Sequence, residues 1–458
     1  MGKKKYVVRK TLACIMAILI SFGGFVNADN VNTIIKDGKL TINGNKTLDG
    51  SPIIFNGSIY LSLPSLDVGK WAPDTYKRIQ KMIDENGMKS PNYDMKNRPY
   101  TVFDWDQTCI FNDTEEELFR YQIENLLFKM TPEQFAYAIR YQIPADDFAK
   151  DYNNLDGQPV NIDKVGSDLD ARYKYIYENY VGFKGSKTLD EIKATEEFID
   201  FRGKLAYLYE AIGGTFSADV SYPWVLYLFT GMTTQEVQAI AERSNDKAIG
   251  ERLESYILTS SEKLKGNAGV VTGKYKRGLR MAPEMSNLMN TLRANGIDVY
   301  VCTASLEDVI KVFAGLPKYG YNVPEENIIG MRLEKDSKGL YKTEYKKDYP
   351  QTQQMGKTQA IKQILVKKYG HGPIFVATDS QGDYYMATDF KDTQLVLVIN
   401  RVRSLSDKIT ILAKEASETI GKPDARYVLQ GRNENMGQFR PSESTIRYGK
   451  TEEELMRK

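Results

Sequence analysis

The 458-residue sequence has one histidine and three cysteines. With His371 alone, in the loop Tyr369-Gly370-His371-Gly372-Pro373, a histidine-based triad and a Cys/His zinc cluster are both set aside. Three cysteines in so long a chain make no disulfide framework. Cys14 lies in the N-terminal segment, and Cys109 and Cys302 read as buried free thiols. The formal net charge is only +2, so nothing points to nucleic acid or an acidic membrane surface as the main partner. Beyond the first thirty residues no apolar run approaches the roughly 20 residues of a membrane span, and no internal repeat is visible. The chemistry must therefore rest on carboxylates, hydroxyls and lysines.

What is present is an ordinary globular composition, 41% hydrophobic and 27% charged, with length enough for roughly two to four domains. The start differs. Lys3, Lys4, Lys5, Arg9 and Lys10 precede an apolar stretch from about Leu12 to Val26, and Val26-Asn27-Ala28 suits cleavage of a signal peptide after Ala28. The expectation is a secreted or cell-envelope protein with no integral membrane domain beyond residues 1–28. Residues 31–66 read as short strands split by Asp37-Gly38, Asn43-Gly44 and Asn56-Gly57, all tight hairpin signals. Pro52 to Leu63 loosely resembles the N-terminal-like module of copper amine oxidases, which implies cell-envelope contact and not copper chemistry.

From Trp71 the period changes. Tyr76, Ile79, Met82 and Ile83 place a helix over Thr75–Asn86, and Thr101-Val102-Phe103 reads as a buried strand. From about Thr114 to Arg280 the sequence is mostly helical, with capping boxes at Thr131-Pro132-Glu133-Gln134 and Thr233-Thr234-Gln235-Glu236. Helices then alternate with strands: helix 283–294, strand 297–302, helix 307–314, helix 357–368, strand 374–377, strand 395–399. That rhythm implies an α/β fold with a parallel sheet. The tail from about Gln430 is polar and reads as a surface wrap.

Four signals carry chemistry. Val102-Phe103-Asp104-Trp105-Asp106-Gln107-Thr108 is a strand running into two carboxylates spaced two apart, where a sheet of this kind binds ligands. Two anions so close call for a cation. Val299-Tyr300-Val301-Cys302-Thr303-Ala304-Ser305 is a strand ending in hydroxyls that can donate to a phosphoryl oxygen. Gly356-Lys357-Thr358 opens a helix, where the lysine and the helix terminus both favour an anion; a nucleotide-binding P-loop fails, because its first glycine would fall at Gln351. Phe375-Val376-Ala377-Thr378-Asp379-Ser380-Gln381-Gly382-Asp383 ends a strand in two acids suited to a hard cation.

In this order the four resemble the motifs of the haloacid dehalogenase superfamily, most closely its exported, phosphoserine-phosphatase-like phosphatases. The departures are Thr378, where glycine is common, and Thr303, where many relatives have serine. The resemblance implies a Rossmann-like core (67–113 and 281–458), a large inserted helical cap (114–280) and, ahead of them, a small β-module (29–66). It implies Asp104 as nucleophile, Asp106 as acid and base, Thr303 and Lys357 holding the phosphoryl group, and Mg²⁺ on Asp104, Asp379 and the carbonyl of Asp106. Asp383 would join the metal shell or orient Lys357. Thr108, Trp105, Ala304 and Ser305 would meet the substrate.

A large cap implies a small phosphomonoester, with phosphocholine or a phosphoserine-like compound foremost. Trp105, Trp224 and the cap tyrosines could cage a quaternary ammonium, and Asp113, Glu115, Glu116 and Glu117 could attract one; a packed core and a solvated helix start are the plainer readings of both groups. Two alternatives stand beside the hydrolase: a cell-surface binding protein with a secondary enzyme domain, and a phosphotransferase or mutase of the same fold.

Overall fold

The structure, a computed structural model, describes residues 65–457 in full and, between residues 33 and 60, the backbone of five short strands. The expected signal segment, its cleavage point after Ala28 and Cys14 lie outside the described residues. The chain divides into two units, Met1–Ser65 and Leu66–Lys458. In the first, Thr33–Lys36, Lys39–Ile42 and Lys46–Thr47 form an antiparallel sheet, and Ile53–Phe55 pairs with Ser58–Tyr60. Lys36 faces Lys39 and Phe55 faces Ser58. The dipeptides Asp37-Gly38, Asn43-Gly44 and Asn56-Gly57, expected as turns, lie outside the described residues.

The second unit is built on six parallel strands: β1 (Tyr100–Phe103), β2 (Asp298–Leu306), β3 (Ile328–Met331), β4 (Phe375–Thr378), β5 (Leu395–Ile399) and β6 (Tyr427–Gln430). Their spatial order is β3-β2-β1-β4-β5-β6, so β1, first in the chain, lies at the centre. These strands read as near-continuous apolar runs because both faces are covered. Phe103, Val301, Ala377 and Leu397 face one hydrophobic core, while Val102, Cys302, Val376 and Val398 face the other, the alternation expected of a strand. Helix α1 (Pro73–Asn86) covers the first face with Ile79, Met82 and Ile83. Each such burial is worth roughly 1.5–3 kcal/mol.

Several expectations shift by a residue or two, which is ordinary fraying at element ends. Strand β2 shifts more, running to Leu306 where Cys302 was the expected end. Its pairing with β3 slips between Cys302 and Leu306, a bulge of the kind that re-aims side chains beside sites. Between β1 and β2 the chain is largely helical, with α2 (Thr114–Glu124) and α3 (Glu196–Thr215) the helices nearest the site. The capping boxes at Thr131 and Thr233 form as read.

Within that segment lies a β-hairpin, Glu254–Thr259 with Thr272–Arg277, which the helical reading missed. Its inward positions are Gly273 and Tyr275 between exposed lysines, too little apolar surface to register as a strand pattern. Ile110–Phe111 pairs with Arg280–Met281 where the chain leaves and rejoins the sheet region. The tail is not a loose wrap. Arg432–Asn433, Gln438–Phe439, Thr445–Ile446 and Glu453–Glu454 form a four-stranded sheet that buries Phe439 and Arg432. No helix among the described residues is long and apolar enough to cross a membrane.

Candidate active site

The carboxyl ends of β1, β2, β4 and β5 converge on a cavity of about 590 Å³, at the edge where open parallel sheets bind ligands. Asp104 follows β1 directly, and its N–H still donates to Ala377 O at 3.0 Å. The chain then turns sharply. Gln107 has φ +65°, a left-handed conformation uncommon outside glycine, and Cys109 Sγ donates back to Asp104 O at 3.0 Å. The turn returns Thr108 to the site, its Oγ1 lying 2.8 Å from Asp104 Oδ2 and 3.0 Å from Asp379 Oδ1. The hydroxyl has one proton, so it can donate to only one of the two carboxylates at a time.

Lys357 lies on α4 (Met355–Ile361). A Cβ on Gly356 would sit 1.6 Å from Gln351 O, so only glycine lets the preceding loop fold across the helix start. The buried Lys357 Nζ donates to Asp104 Oδ1 and Asp383 Oδ1, both at 2.6 Å. Asp383 is held in turn by Thr378 Oγ1 at 3.0 Å and by the N–H groups of Asp379 and Ser380, each at 3.3 Å. Asp383 thus orients the lysine while remaining beside the other acids. Carboxylate oxygens of Asp104, Asp379 and Asp383 all lie within 4.8 Å of one another. Three buried hard-oxygen donors so close fit a divalent cation such as Mg²⁺.

Burial, then the charge of Asp383, pushes Asp104 well above the usual carboxylate range, with Lys357 opposing. Burial likewise raises Asp379, but Arg401 Nη1, 2.5 Å from its Oδ2, outweighs that and holds it below its ordinary value. Asp106 stands apart from these three. Its Oδ1 accepts from Thr114 N at 2.7 Å and its Oδ2 from Ser305 Oγ at 2.8 Å. Burial and then Asp113 raise it well above the normal range, which favours a protonated acid. Two aspartates two residues apart are therefore pushed into different work by their surroundings.

The cavity gathers Asp104, Asp106, Thr303, Ala304, Ser305, Lys357, Asp379 and Asp383 on its wall. Thr108 contacts the carboxylates and does not line the cavity. Ser305 lines it but its hydroxyl is engaged by Asp106. Trp105 is fully buried against Phe313 and Tyr321, with its ring N–H donating to Thr114 Oγ1. Trp224 is also buried, its ring N–H donating to Ile139 O. Neither tryptophan faces the cavity; both belong to the packed core. Glu117 is turned away onto Arg120, whereas Asp113, Glu115 and Glu116 do line the wall, with Tyr152, Tyr209 and Tyr222.

Arg401 and Arg403 were not read from the sequence. Arg401 comes two residues after β5, as Asp379 comes directly after β4, and the strand-end rule could have found it. Cys109 and Cys302 are buried and free.

No family model matches the chain. It is 29% identical over 174 residues to a phosphorylcholine phosphatase of Pseudomonas aeruginosa, covering 36% of this chain and 47% of that protein, so it spans about half the length of the curated relative it matches. A solved structure of a conserved protein of unknown function from Anaerococcus prevotii is 35% identical and superposes with a TM-score of 0.79, over 84% of this chain and 98% of that one. With a central β1 ending in Asp104 and Asp106, the hydroxyls of β2, a helix-borne Lys357 and the acids after β4 meeting in one cavity, the chain belongs to the haloacid dehalogenase superfamily.

Proposed function

We propose that the protein hydrolyses a small phosphomonoester through an aspartyl-phosphate on Asp104, and that its preferred substrate has a cationic leaving group, phosphocholine foremost. The observation that carries this reading is the pair of contacts at 2.6 Å by which Lys357 grips Asp104 and Asp383, with Asp106 beside them under separate control. Asp104 attacks phosphorus, and the bond from phosphorus to the leaving oxygen breaks. Asp106 gives its proton to that oxygen, then takes one from the water that attacks the aspartyl-phosphate and frees Asp104. Lys357 and Thr303 hold phosphoryl oxygens. Asp104, Asp379 and Asp383 would hold Mg²⁺, which when bound offsets charge on the phosphoryl group.

Charge supports the leaving-group assignment. Eight carboxylates line the cavity against three cations, Lys357, Arg401 and Arg403. The surplus lies on the α2 and α3 side, where Asp113, Glu115, Glu116 and Glu210 accompany Tyr209 and Tyr222. Tyr209 OH donates to Glu116 Oε1 at 3.4 Å. Acids with aromatic rings suit an onium group, and the similarity to a phosphorylcholine phosphatase supports the same choice. The basic-then-apolar segment at residues 3–26 supports action outside the cytoplasm.

Phosphate release from a panel of small phosphomonoesters, with Mg²⁺ and with chelator, tests the proposal. Metal-dependent release with the highest kcat/KM for phosphocholine is expected. Full release in chelator removes the metal, and a preference for neutral leaving groups removes the onium site.

Glu116 gives the onium site a pH signature. Burial, then Asp113, pushes Glu116 up to about 7. The KM for phosphocholine should therefore fall as pH rises through that value and Glu116 ionises. The KM for a neutral ester, which shares the titration of the phosphate, should lack this component. Glu116→Gln should abolish the difference and raise the phosphocholine KM about tenfold, equivalent to ~1.4 kcal/mol. Equal pH profiles for the two substrates in the wild type would count against the assignment.

A further inference from the structure

We propose that the C-terminal four-stranded sheet serves the catalytic centre, with Arg432 a positioning residue that fixes the nucleophile loop through Gln107. The inference rests on the reading of Asp104 and Asp106 as the reacting carboxylates.

Gln107 lies between Asp106 and Thr108, and its φ of +65° is a conformation that a non-glycine residue keeps only when its surroundings hold it there. Its N–H donates to Asn112 O at 3.1 Å. Its carbonyl and side chain are held by a residue 325 positions later: Arg432 Nη1 donates to Gln107 O at 3.1 Å, and Nη2 to Gln107 Oε1 at 2.9 Å. The same guanidinium donates from Nε at 3.1 Å and Nη2 at 2.6 Å to Glu434 Oε1, and stacks 5.4 Å from the centre of the Phe111 ring. Arg432 is only 3% exposed. A guanidinium is taken out of water at a penalty of several kcal/mol unless its donors are met, and here a fork of fixed geometry meets a carbonyl, an amide oxygen and a carboxylate together.

The support for Arg432 is itself built in. Its N–H donates to Thr445 Oγ1 at 3.0 Å, and Thr445 Oγ1 donates to Asn400 O at 2.5 Å, next to Arg401. A Cβ on Gly431 would meet Ser444 O at 2.2 Å, so the approach of the two segments requires glycine. Phe439 packs between Trp71 and Phe111. Arg432, held by Thr445 and the close approach at Gly431, thereby transmits a fixed position to the turn that lets Thr108 reach Asp104 and Asp379. Displacements of about 1 Å in such a turn cost roughly a hundredfold in rate.

The test uses full-length Arg432→Ala, Arg432→Lys and Phe439→Leu. The last loosens the packing of the tail without touching Gln107. Arg432→Ala is expected to lower kcat on an aryl phosphate by about 10- to 100-fold with KM within about twofold. Millimolar guanidinium should restore much of that kcat. Arg432→Lys should stay impaired, since an ammonium cannot span both oxygens. Phe439→Leu should lower the thermal midpoint and leave kcat near wild type. Amide exchange over residues 105–108 should quicken in Arg432→Ala and not in Phe439→Leu.

An unchanged kcat in Arg432→Ala overturns the proposal, as does a loss that matches Phe439→Leu and ignores guanidinium. If Arg432→Ala does not fold, Gln107→Ala removes one of the two anchoring oxygens, and an unchanged kcat there overturns it equally. If the wild type releases no phosphate from any ester, the hydrolase reading fails by itself. Exchange over residues 105–108 then decides the clamp, and unaltered exchange in Arg432→Ala sinks it.

Discussion

Asp104→Asn should release phosphate at least ~10⁴-fold more slowly than the wild type, the scale on which removing a nucleophile acts. Asparagine keeps the shape of the side chain, and an amide cannot form the acyl phosphate. The fold should not suffer. In the wild type Asp104 is a buried carboxylate pressed by Asp383 and Asp379, with the charge of Lys357 opposing them. Its pKa in the folded state is raised above the unfolded value, so its contribution to stability is complete below the unfolded pKa and is lost as pH rises through the folded one. Asparagine has no such loss. In chelator the variant should therefore melt at or above the wild-type temperature at neutral pH, and its relative advantage should disappear in acid. Phosphate assays beside thermal melts at two pH values check both halves. Residual turnover near wild type would move the nucleophile elsewhere; a variant that melts far below wild type would mean that Asp104 is chiefly structural.

Lys357→Met should be inactive for a different reason and should also be unstable. Methionine fills much of the volume but leaves Asp104 and Asp383 facing each other without the cation that bridges them at 2.6 Å. Removing one partner of a buried ion pair destabilises by ~3–5 kcal/mol. Losing a donor aimed at the phosphoryl oxygens removes roughly a further 10²–10³ in rate. The pH dependence follows from Asp104, whose raised pKa rises further once Lys357 is gone. The deficit relative to wild type should be greatest at neutral and alkaline pH and should shrink as Asp104 takes up a proton in acid. Urea denaturation at both pH values measures it, and added Mg²⁺ should recover part of the loss if the three acids hold the ion. A variant as stable as wild type at neutral pH would show that the carboxylates do not repel as the geometry implies.

Much of this centre was legible because each of its pieces has a local signature. Asp104 and Asp379 each follow an apolar strand, Thr303 follows the apolar run 299–302 within β2, and Lys357 opens a helix after a glycine. Parallel strands buried on both faces are the easiest to read, since their apolar runs are uninterrupted. The errors have local causes as well. Trp105 was offered as part of an aromatic cage, yet it sits between Asp104 and Asp106, and strand-like alternation alone points it away from them; it packs on Phe313 and Tyr321. Which side of a helix the cap tyrosines present was not legible, so Tyr209 and Tyr222 could not be singled out from among thirty tyrosines. The C-terminal sheet was invisible for a plainer reason. Its strands are two residues long, a single period of strand alternation with no repeat to recognise, and they exist through contacts made across the whole molecule.

The central position of β1 has a consequence for how the protein comes into being. Its residues 101–103 pair on one side with Val299–Val301 and on the other with Phe375–Ala377, partners roughly two hundred and nearly three hundred positions downstream. The strand that runs into Asp104 is therefore the first of the sheet to be made and must wait across most of the chain for both its neighbours. Until Lys357, Asp379 and Asp383 have emerged, Asp104 lacks its lysine and its flanking acids. Such distant pairing makes folding slow, and it leaves no shortened product with partial turnover. Enzymatic activity would serve as a count of chains carried past the site: a preparation arrested before residue 401 should contribute protein mass and no catalysis.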